Sequence, residues 1–476
     1  MSKVKLVAEN TAYAFTGKLI SKVISLLTVI IIARYLGEAE YGRYSFVFAF
    51  ISLFSIISEL GILQILLREI SRNHEIAGRM IGNAILIKIA LSVLALTLAI
   101  FSINIMGYPD ETIKAVQIAS LVLLVDIFNT YGVVYEANLK IKYSVFFFLV
   151  SHILMLGFIA LITYFDLGLN FIILATVAGS AIQNLLTYLS SKKYVEVKFD
   201  IDIHICKKLI KDSLPLALSS VFTIIYYRID MIMLSMMVGD TAVGIYSAAY
   251  RVSETFLFIP SILMSSLFPL MSRFFENSNK TLAYSYEKSI KYLFLLAFPM
   301  AAGVTILSDE IIQTIYGDNF KSSIAALQIL IWATAIIFVN YATGSLNVST
   351  NKQRFVMYYT GIGAIGNILL NYILIPKYSY TGASVATVLT ELAILIVTAY
   401  GMPSFISRKR LVYNNLPSIV ATIIMAIFLL NGLKSYFGLF AIIPSIIIYF
   451  ASFHLFKGLD VDDKTILREI FGRYIS

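Results

Sequence analysis

The chain has 476 residues, of which 59% are hydrophobic and only 14% charged, with a mean hydropathy of +0.84, and these values exclude a soluble globular protein. Its net charge of +9 comes from basic residues spread over many loops with no basic domain to hold them, which excludes a nucleic-acid-binding module. The lone cysteine, Cys206, cannot close an internal disulfide, and His74, His152, His204 and His454 lack metal-ligand spacing, so neither a disulfide scaffold nor a metal centre is expected.

From the amino end, the apolar stretch Tyr13 to Ala33 is too long for a signal-peptide core and no small-residue cleavage site follows it, so it reads as a retained helix. Apolar windows then fall near residues 12–33, 44–66, 80–105, 112–135, 145–165, 169–190, 213–238, 243–270, 290–307, 324–349, 355–375, 380–402, 415–432 and 438–456. Each is long enough for one bilayer crossing, which predicts an all-α polytopic membrane protein of about fourteen transmembrane helices. An even number of crossings puts both termini on one side. Of the 37 basic residues, 26 lie in loops on that side, among them Arg68, Arg72, Lys192, Lys193 and Arg408 to Arg410, against 6 on the other (Arg34, Arg43, Lys114, Lys321, Lys377 and Lys434). Basic loops stay inside, so both termini are expected in the cytoplasm and the protein in the cell membrane.

The order of residues also repeats. Gly37-Glu38-Ala39-Glu40-Tyr41-Gly42-Arg43-Tyr44-Ser45 returns as Gly239-Asp240-Thr241-Ala242-Val243-Gly244-Ile245-Tyr246-Ser247, at an offset of 202. Ala115, Gln117 and Asn129 return as Ala326, Gln328 and Asn340 at an offset of 211, and Gly107 answers Gly317. Both copies start on the cytoplasmic side, so the reading is two six-helix lobes related by a parallel repeat plus two C-terminal helices. The boundaries expected are an N-terminal lobe at 1–190, a cytoplasmic linker at 191–212, a C-terminal lobe at 213–402, and two further helices with an amphipathic tail at 403–476. Leu66 to Met80, Ile203 to Ile210 and Lys464 to Ile475 read as helices lying on the inner headgroups.

Two six-helix lobes, two extra helices, the stretch Ala33 to Tyr44 (Ala-Arg-Tyr-Leu-Gly-Glu-Ala-Glu-Tyr-Gly-Arg-Tyr) and a seventh helix reading Tyr-Tyr-Arg-Ile-Asp-Met-Ile-Met-Leu (Tyr226 to Leu234) resemble the polysaccharide-transporter branch of the multidrug/oligosaccharidyl-lipid/polysaccharide exporter superfamily, whose best-known members are Wzx-type O-antigen flippases. The resemblance implies lobes arranged in a V around a central cavity and alternating access that moves a lipid-linked oligosaccharide to the outer leaflet. Fourteen helices also resemble lipid II flippases, whereas many polysaccharide transporters have twelve. The partners it implies are the lipid-linked oligosaccharide, the phospholipid bilayer and glycan-assembly proteins. No cofactor is implied, and the coupling ion stays open between Na+ and a proton.

A polyprenyl pyrophosphate must be carried through a low-dielectric layer, so its carrier needs cations that replace lost hydration. Five basic residues lie within predicted crossings: Lys18, Lys22, Lys88, Arg228 and Arg251. These are the candidate substrate-binding residues. Lys18 and Lys22 share a face at i,i+4 and, like Lys88, have snorkelling to the inner headgroups as the alternative. Arg228 and Asp230 point about 200° apart on an ideal helix and cannot satisfy each other. Arg251 and Glu254, at i,i+3, either pair with each other or leave Arg251 for Asp230. Asp230, Glu254, Asp126 and Glu391 are candidates for ion coupling or charge pairing. Tyr226, Tyr227, Tyr246 and Tyr250 either stack on sugar rings or belong to the interfacial belt. A drug/cation antiporter of the same superfamily would rely on cavity acids without this set of cations. A membrane glycan polymerase or ligase would need a sizeable outer loop, and every predicted outer segment is short, so no enzyme is expected.

Overall fold

The computed structural model describes residues 3–138, 140–460 and 462–463, with side chains from residue 16 onward except 18 and 219. All regular elements among them are helical. Two compact units divide the chain, Met1–Gly244 and Ile245–Ser476.

The first unit opens with α1 (Lys3–Glu59), 57 residues long. A straight helix of that length would run about 85 Å, against a hydrocarbon core of about 30 Å. Gly37, at φ 69° and ψ −178°, breaks it into two arms, a conformation that glycine adopts without the Cβ penalty. There follow α2 (Ile62–Arg72), α3 (Ala77–Ile105), α4 (Asp110–Val125), α5 (Val133–Ala137), α6 (Ile141–Tyr164), α7 (Leu169–Ser191) and α8 (Ile203–Met237). In the second unit, after α9 (Asp240–Thr255), which spans the division, come α10 (Phe258–Asn277), α11 (Asn279–Ile306), α12 (Ser308–Tyr316), α13 (Ser323–Ser349), α14 (Gln353–Tyr400), α15 (Arg408–Phe428), α16 (Lys434–Phe437) and α17 (Ile442–Leu455). Eleven helical stretches among the described residues are long and apolar enough to cross a membrane. Three of them are double-length and broken inside, at Gly37, at Ser379 and between α15 and α17, which yields the fourteen crossings expected.

The breaks themselves repeat. Positive φ angles occur at Gly37 and Gly239, at Gly107 and Gly317, and at Gly168 and Ser379, corresponding places in the two copies. The third pair was invisible to residue matching because serine stands for glycine.

Packing follows membrane rules. On α3 the fully buried residues Lys88, Ser92, Ala95, Ala99 and Ile103 form one stripe, while Phe101 and Ile105 are exposed. Small side chains on the buried face let helix backbones approach, which matters where lipid removes the hydrophobic drive for helices to associate. α8 packs along α1, α2 and α3 within the first unit, which is why the division by packing falls after residue 244 although the sequence repeat starts its second copy near 213.

Two expectations for the segments between crossings change. Ile203 to Ile210 is no separate surface helix but the first turns of the 35-residue α8, started by Asp202, whose carboxylate accepts from the backbone N–H of His204 and Ile205. Leu66 to Met80 is split by Asn73 into α2 and the start of α3, and α2 buries Ile62, Ile65, Leu66 and Ile70 against the rest of the unit. The tail from Lys464 lies outside the described residues.

The linker is tied down as well. Lys198 N–H donates to the Gly78 carbonyl at 3.2 Å, Asn83 donates to the Asp200 carbonyl at 2.9 Å and accepts from Asp202 N–H at 2.8 Å, and Arg79 meets Asp202 at 3.0 Å. A Cβ on Gly78 or Gly82 would stand 2.2 or 1.9 Å from the carbonyl oxygens of Glu196 and Lys198, so α3 admits this strap only where it carries glycine. Beside it Glu69 takes ion pairs from Arg68 and Lys208, and the Lys208 hydrogen bond holds its carboxyl below the usual range.

In the second unit, α15 and α17 pack on α11 through Ala302, Ala421, Met425, Tyr449 and Phe453, and the Tyr449 hydroxyl donates to the Leu295 carbonyl at 2.8 Å. Below them Lys288 and Lys291 of α11 clamp Asp460 and Asp463, with the Tyr292 hydroxyl donating to Asp463 at 2.7 Å. Burial raises both aspartates, but the lysine hydrogen bonds outweigh it and leave both carboxyls well below the ordinary range. A depressed folded pKa means that the clamp stabilises at neutral pH and is lost as pH falls below about 4. Lys288→Met with Lys291→Met leaves a buried, unpaired Asp463 and is expected to destabilise by about 3 to 5 kcal/mol. Thermal unfolding of the purified protein measures this, and adding Asp460→Asn and Asp463→Asn should recover most of the loss.

Candidate functional site

Four of the five candidate cations have described side chains; that of Lys18 lies outside the described residues. Lys22 is exposed on α1, on a face that also carries exposed Leu19 and Val23. Lys88 is fully buried at the inner end of the α3 stripe, and its ammonium donates to Glu59 Oε1 at 2.7 Å and to the Asp126 carbonyl at 3.2 Å. It faces carboxylate and backbone instead of open space. Arg228 is half-buried on α8, and Asp230, two residues on, is 2% exposed. Arg251 reaches Glu254 at 3.4 Å, the i,i+3 pairing that their spacing allowed.

The acids fall into a pattern that spacing did not predict. In the first unit Asn184 of α7 donates to Asp126 Oδ1 at 3.2 Å and to the Val125 carbonyl at 3.2 Å. In the second, Asn340 of α13 donates to Glu391 Oε2 of α14 at 2.7 Å. The acid sits on the fourth crossing and the amide on the sixth in one unit, and the roles are exchanged on the tenth and twelfth in the other. Asn184 was legible as an amide in an apolar window but belonged to no residue match, and Glu59 stood in the sequence as an intramembrane acid without a partner.

At the turn opening the second arm of α1, Arg43 Nε donates to Asp240 Oδ2 at 3.1 Å and Arg43 Nη1 to Glu111 Oε2 at 2.5 Å, and the Tyr108 hydroxyl donates to Ser235 Oγ at 3.1 Å. Here the two copies of the glycine motif meet. A Cβ on Gly42 would lie 1.8 Å from the Asp240 carbonyl oxygen, and one on Gly244 would lie 1.9 Å from that of Glu38. The two helix starts cross in backbone contact, which only glycine at both positions permits.

The tyrosines divide too. Tyr226 and Tyr227 meet edge-on at 5.1 Å, whereas Tyr246 is fully buried with its hydroxyl 3.3 Å from Thr387 Oγ1, a helix-packing role. Among the described residues no three His, Cys, Asp or Glu side chains gather as a metal site.

The sequence model of the family described as Polysaccharide biosynthesis protein matches residues 7–275, more than half of the chain. The chain belongs to this family. The model described as MatE also matches, over residues 215–373. Among curated relatives, the chain is 24% identical over 404 residues to the "Probable low-salt glycan biosynthesis flippase Agl15" of Haloferax volcanii, covering 84% of each chain. It is 23% identical to the capsular polysaccharide biosynthesis protein CapF of Staphylococcus aureus, over 82% of this chain and 98% of that one. Among solved structures, it is similar to a lipid II flippase MurJ in an inward closed conformation, with a TM-score of 0.76 over 94% of this chain and 99% of that one at 16% identity. That likeness concerns the fold. The family member described here is thus an all-helical, multi-pass membrane protein in which Lys88 is paired with Glu59 and Arg251 with Glu254, while Asp126 and Glu391 each accept from an asparagine amide.

Proposed function

We propose that the protein is a flippase that moves a polyprenyl-pyrophosphate-linked oligosaccharide from the cytoplasmic to the outer leaflet by alternating access, for cell-surface polysaccharide biosynthesis. The observation that carries the reading is Arg228: a half-buried guanidinium on a crossing helix, two residues from a nearly fully buried acid, in a chain of the polysaccharide biosynthesis family. A planar fork of donors suits phosphate oxygens, and replacing lost hydration is what carrying a pyrophosphate through a bilayer demands. Lys22, exposed on α1, supplies further positive charge, whereas Arg251 is engaged by Glu254. Lys88, engaged by Glu59, is better placed to balance charge within its unit than to meet the substrate. Na+ or proton coupling is assigned to Asp230 and Glu391, each 2% exposed, with Glu254 in charge pairing and Asp126 held by the Asn184 amide. The names borne by the relatives, a glycan flippase and a capsular polysaccharide protein, agree with the substrate class.

Both termini are assigned to the cytoplasm, which makes the Gly42–Gly244 crossing the outer end of the bundle. The test reconstitutes the protein into liposomes with a fluorescent polyprenyl-pyrophosphate oligosaccharide and follows its protection from an impermeant glycosidase or oxidant. Flipping is expected with the protein and not with empty vesicles. In a Cys206→Ser background, single cysteines at Asp318 should react with an impermeant thiol reagent from outside intact cells, and those at Lys193 or Lys409 should not. Equal protection with and without protein overturns the flippase, and labelling at Lys193 overturns the orientation.

A further inference from the structure

We propose that the Lys88 ammonium is a resident cation: it fills, inside the first unit, a pocket of oxygens suited to a small monovalent cation such as Na+, and so keeps that pocket out of ion binding. The inference deepens the transporter reading by saying where coupling ions do not bind, and it is argued from the pocket alone.

Three features build the pocket. Glu59 is the last residue of α1, and Leu60 and Gly61, at φ 46° and 72°, end the helix there. Its carboxylate is therefore carried at the carboxyl end of α1, where the helix dipole is negative. The second is a break in the fourth crossing: α4 stops at Val125 and the chain continues as a 3-10 stretch from Asp126 to Gly132. In that stretch the Asp126 main-chain carbonyl lies 3.2 Å from Lys88 Nζ. Carbonyls at breaks in membrane helices, like helix carboxyl ends, are the backbone groups that coordinate small cations in transporters. Third, the Asp126 carboxyl is held beside this point by Asn184, whose amide donates to Asp126 Oδ1 and the Val125 carbonyl at 3.2 Å each, which fixes the break that presents the carbonyl.

Carboxylate, backbone carbonyl and a helix carboxyl end make a hard-oxygen environment, the kind that alkali and alkaline-earth cations prefer over nitrogen or sulfur. In this protein its centre is taken by a primary ammonium that is 0% exposed and 2.7 Å from Glu59. A lysine there is covalently fixed to α3 and cannot be released, so the pocket keeps Glu59 paired without exchanging an ion. The simpler view, an ion pair that only ties α1 to α3, uses the same contact but gives no role to the carbonyl at the helix break. The two views diverge when the ammonium is removed.

The test uses full-length protein purified in detergent, with no lipid-linked substrate present, so its outcome is independent of whether the protein flips a glycan. Bound 22Na+ per chain is measured for wild type, Lys88→Ala and Lys88→Ala/Glu59→Gln. The pocket predicts that Lys88→Ala gains about one Na+ per chain over wild type, that NaCl raises its melting temperature relative to choline chloride, and that both gains vanish in the double variant, which keeps the space but loses the carboxylate. Equal Na+ binding by Lys88→Ala and wild type overturns the proposal, as does a gain that survives Glu59→Gln. Should Lys88→Ala fail to fold, purification in NaCl against choline chloride decides: folding in Na+ alone supports the resident cation, and failure in both salts overturns it.

Discussion

Arg228→Ala is expected to insert and reach normal abundance while export falls by about 10- to 100-fold, the range given by losing one or two charge-assisted hydrogen bonds to phosphate. Arg228→Lys should retain partial activity, because charge survives while the bidentate fork does not. The prediction rests on the residue's depth and phase: Arg228 is half-buried on α8, and Asp230, nearly fully buried, points about 200° away around an ideal helix. A purely structural arginine gives a different pattern. Its removal would leave a buried acid unpaired, lower stability by about 3 to 5 kcal/mol as in soluble proteins, and be repaired by neutralising that acid. Substrate binding, abundance and export measured together for Arg228→Ala, alone and with Asp230→Asn or Glu254→Gln, separate the two. Recovery of export in either double variant would assign Arg228 to architecture.

Gly42→Val and Gly244→Val should each break the crossing of the two glycine motifs. The Cβ of a new side chain would lie 1.8 or 1.9 Å from a backbone carbonyl oxygen, and backbone cannot swing aside as a flexible side chain can. The helix starts must separate, which costs about 1 to 3 kcal/mol or more by overpacking and also lengthens the Arg43–Asp240 pair. The expected results are a lower melting temperature, reduced export, and a lower yield of the disulfide between cysteines placed at Glu38 and Asp240, whose carbonyls form the crossing. In otherwise wild-type protein that disulfide should form readily and stop export by holding the outer end closed. Gly303→Ala is the control: a Cβ there meets nothing within 4 Å, so stability should stay level or rise slightly. Export at the normal rate by the locked protein would remove alternating access from the proposed mechanism.

Much of this architecture is a one-dimensional property of the chain. A crossing is a run of apolar residues of bilayer length and its ends are marked by loops, so apolar windows sufficed to place fourteen crossings. The repeat was also legible where glycine returned with its neighbours, as at Gly37 and Gly239, because a left-handed turn constrains residue type directly. Where another residue accepts the same turn, as Ser379 does opposite Gly168, identity matching fails although the backbone repeats. The surface helix expected at Ile203 to Ile210 was misread for a related reason: local amphipathicity cannot tell a short helix from the first turns of a long one.

Pairing is what sequence could not decide. Counting five intrahelical cations against five acids, Glu59, Asp126, Asp230, Glu254 and Glu391, left every assignment open, since partners lie on other helices and burial depends on which stripe faces inward. Arg251 and Glu254 were the exception, because i,i+3 neighbours meet by helix geometry alone. Lys88 with Glu59, Asp126 with Asn184 and Glu391 with Asn340 join residues 29, 58 and 51 positions apart, and only the packing of α1 on α3, α4 on α7 and α13 on α14 brings them together. The sequence by itself thus determined the membrane, the number of crossings and the doubling of the chain, because hydrophobic length, loop charge and turn conformation are local. Which cations are engaged by acids and which backbones touch at glycine was settled by the tertiary structure, because both depend on the rotation of one helix against another.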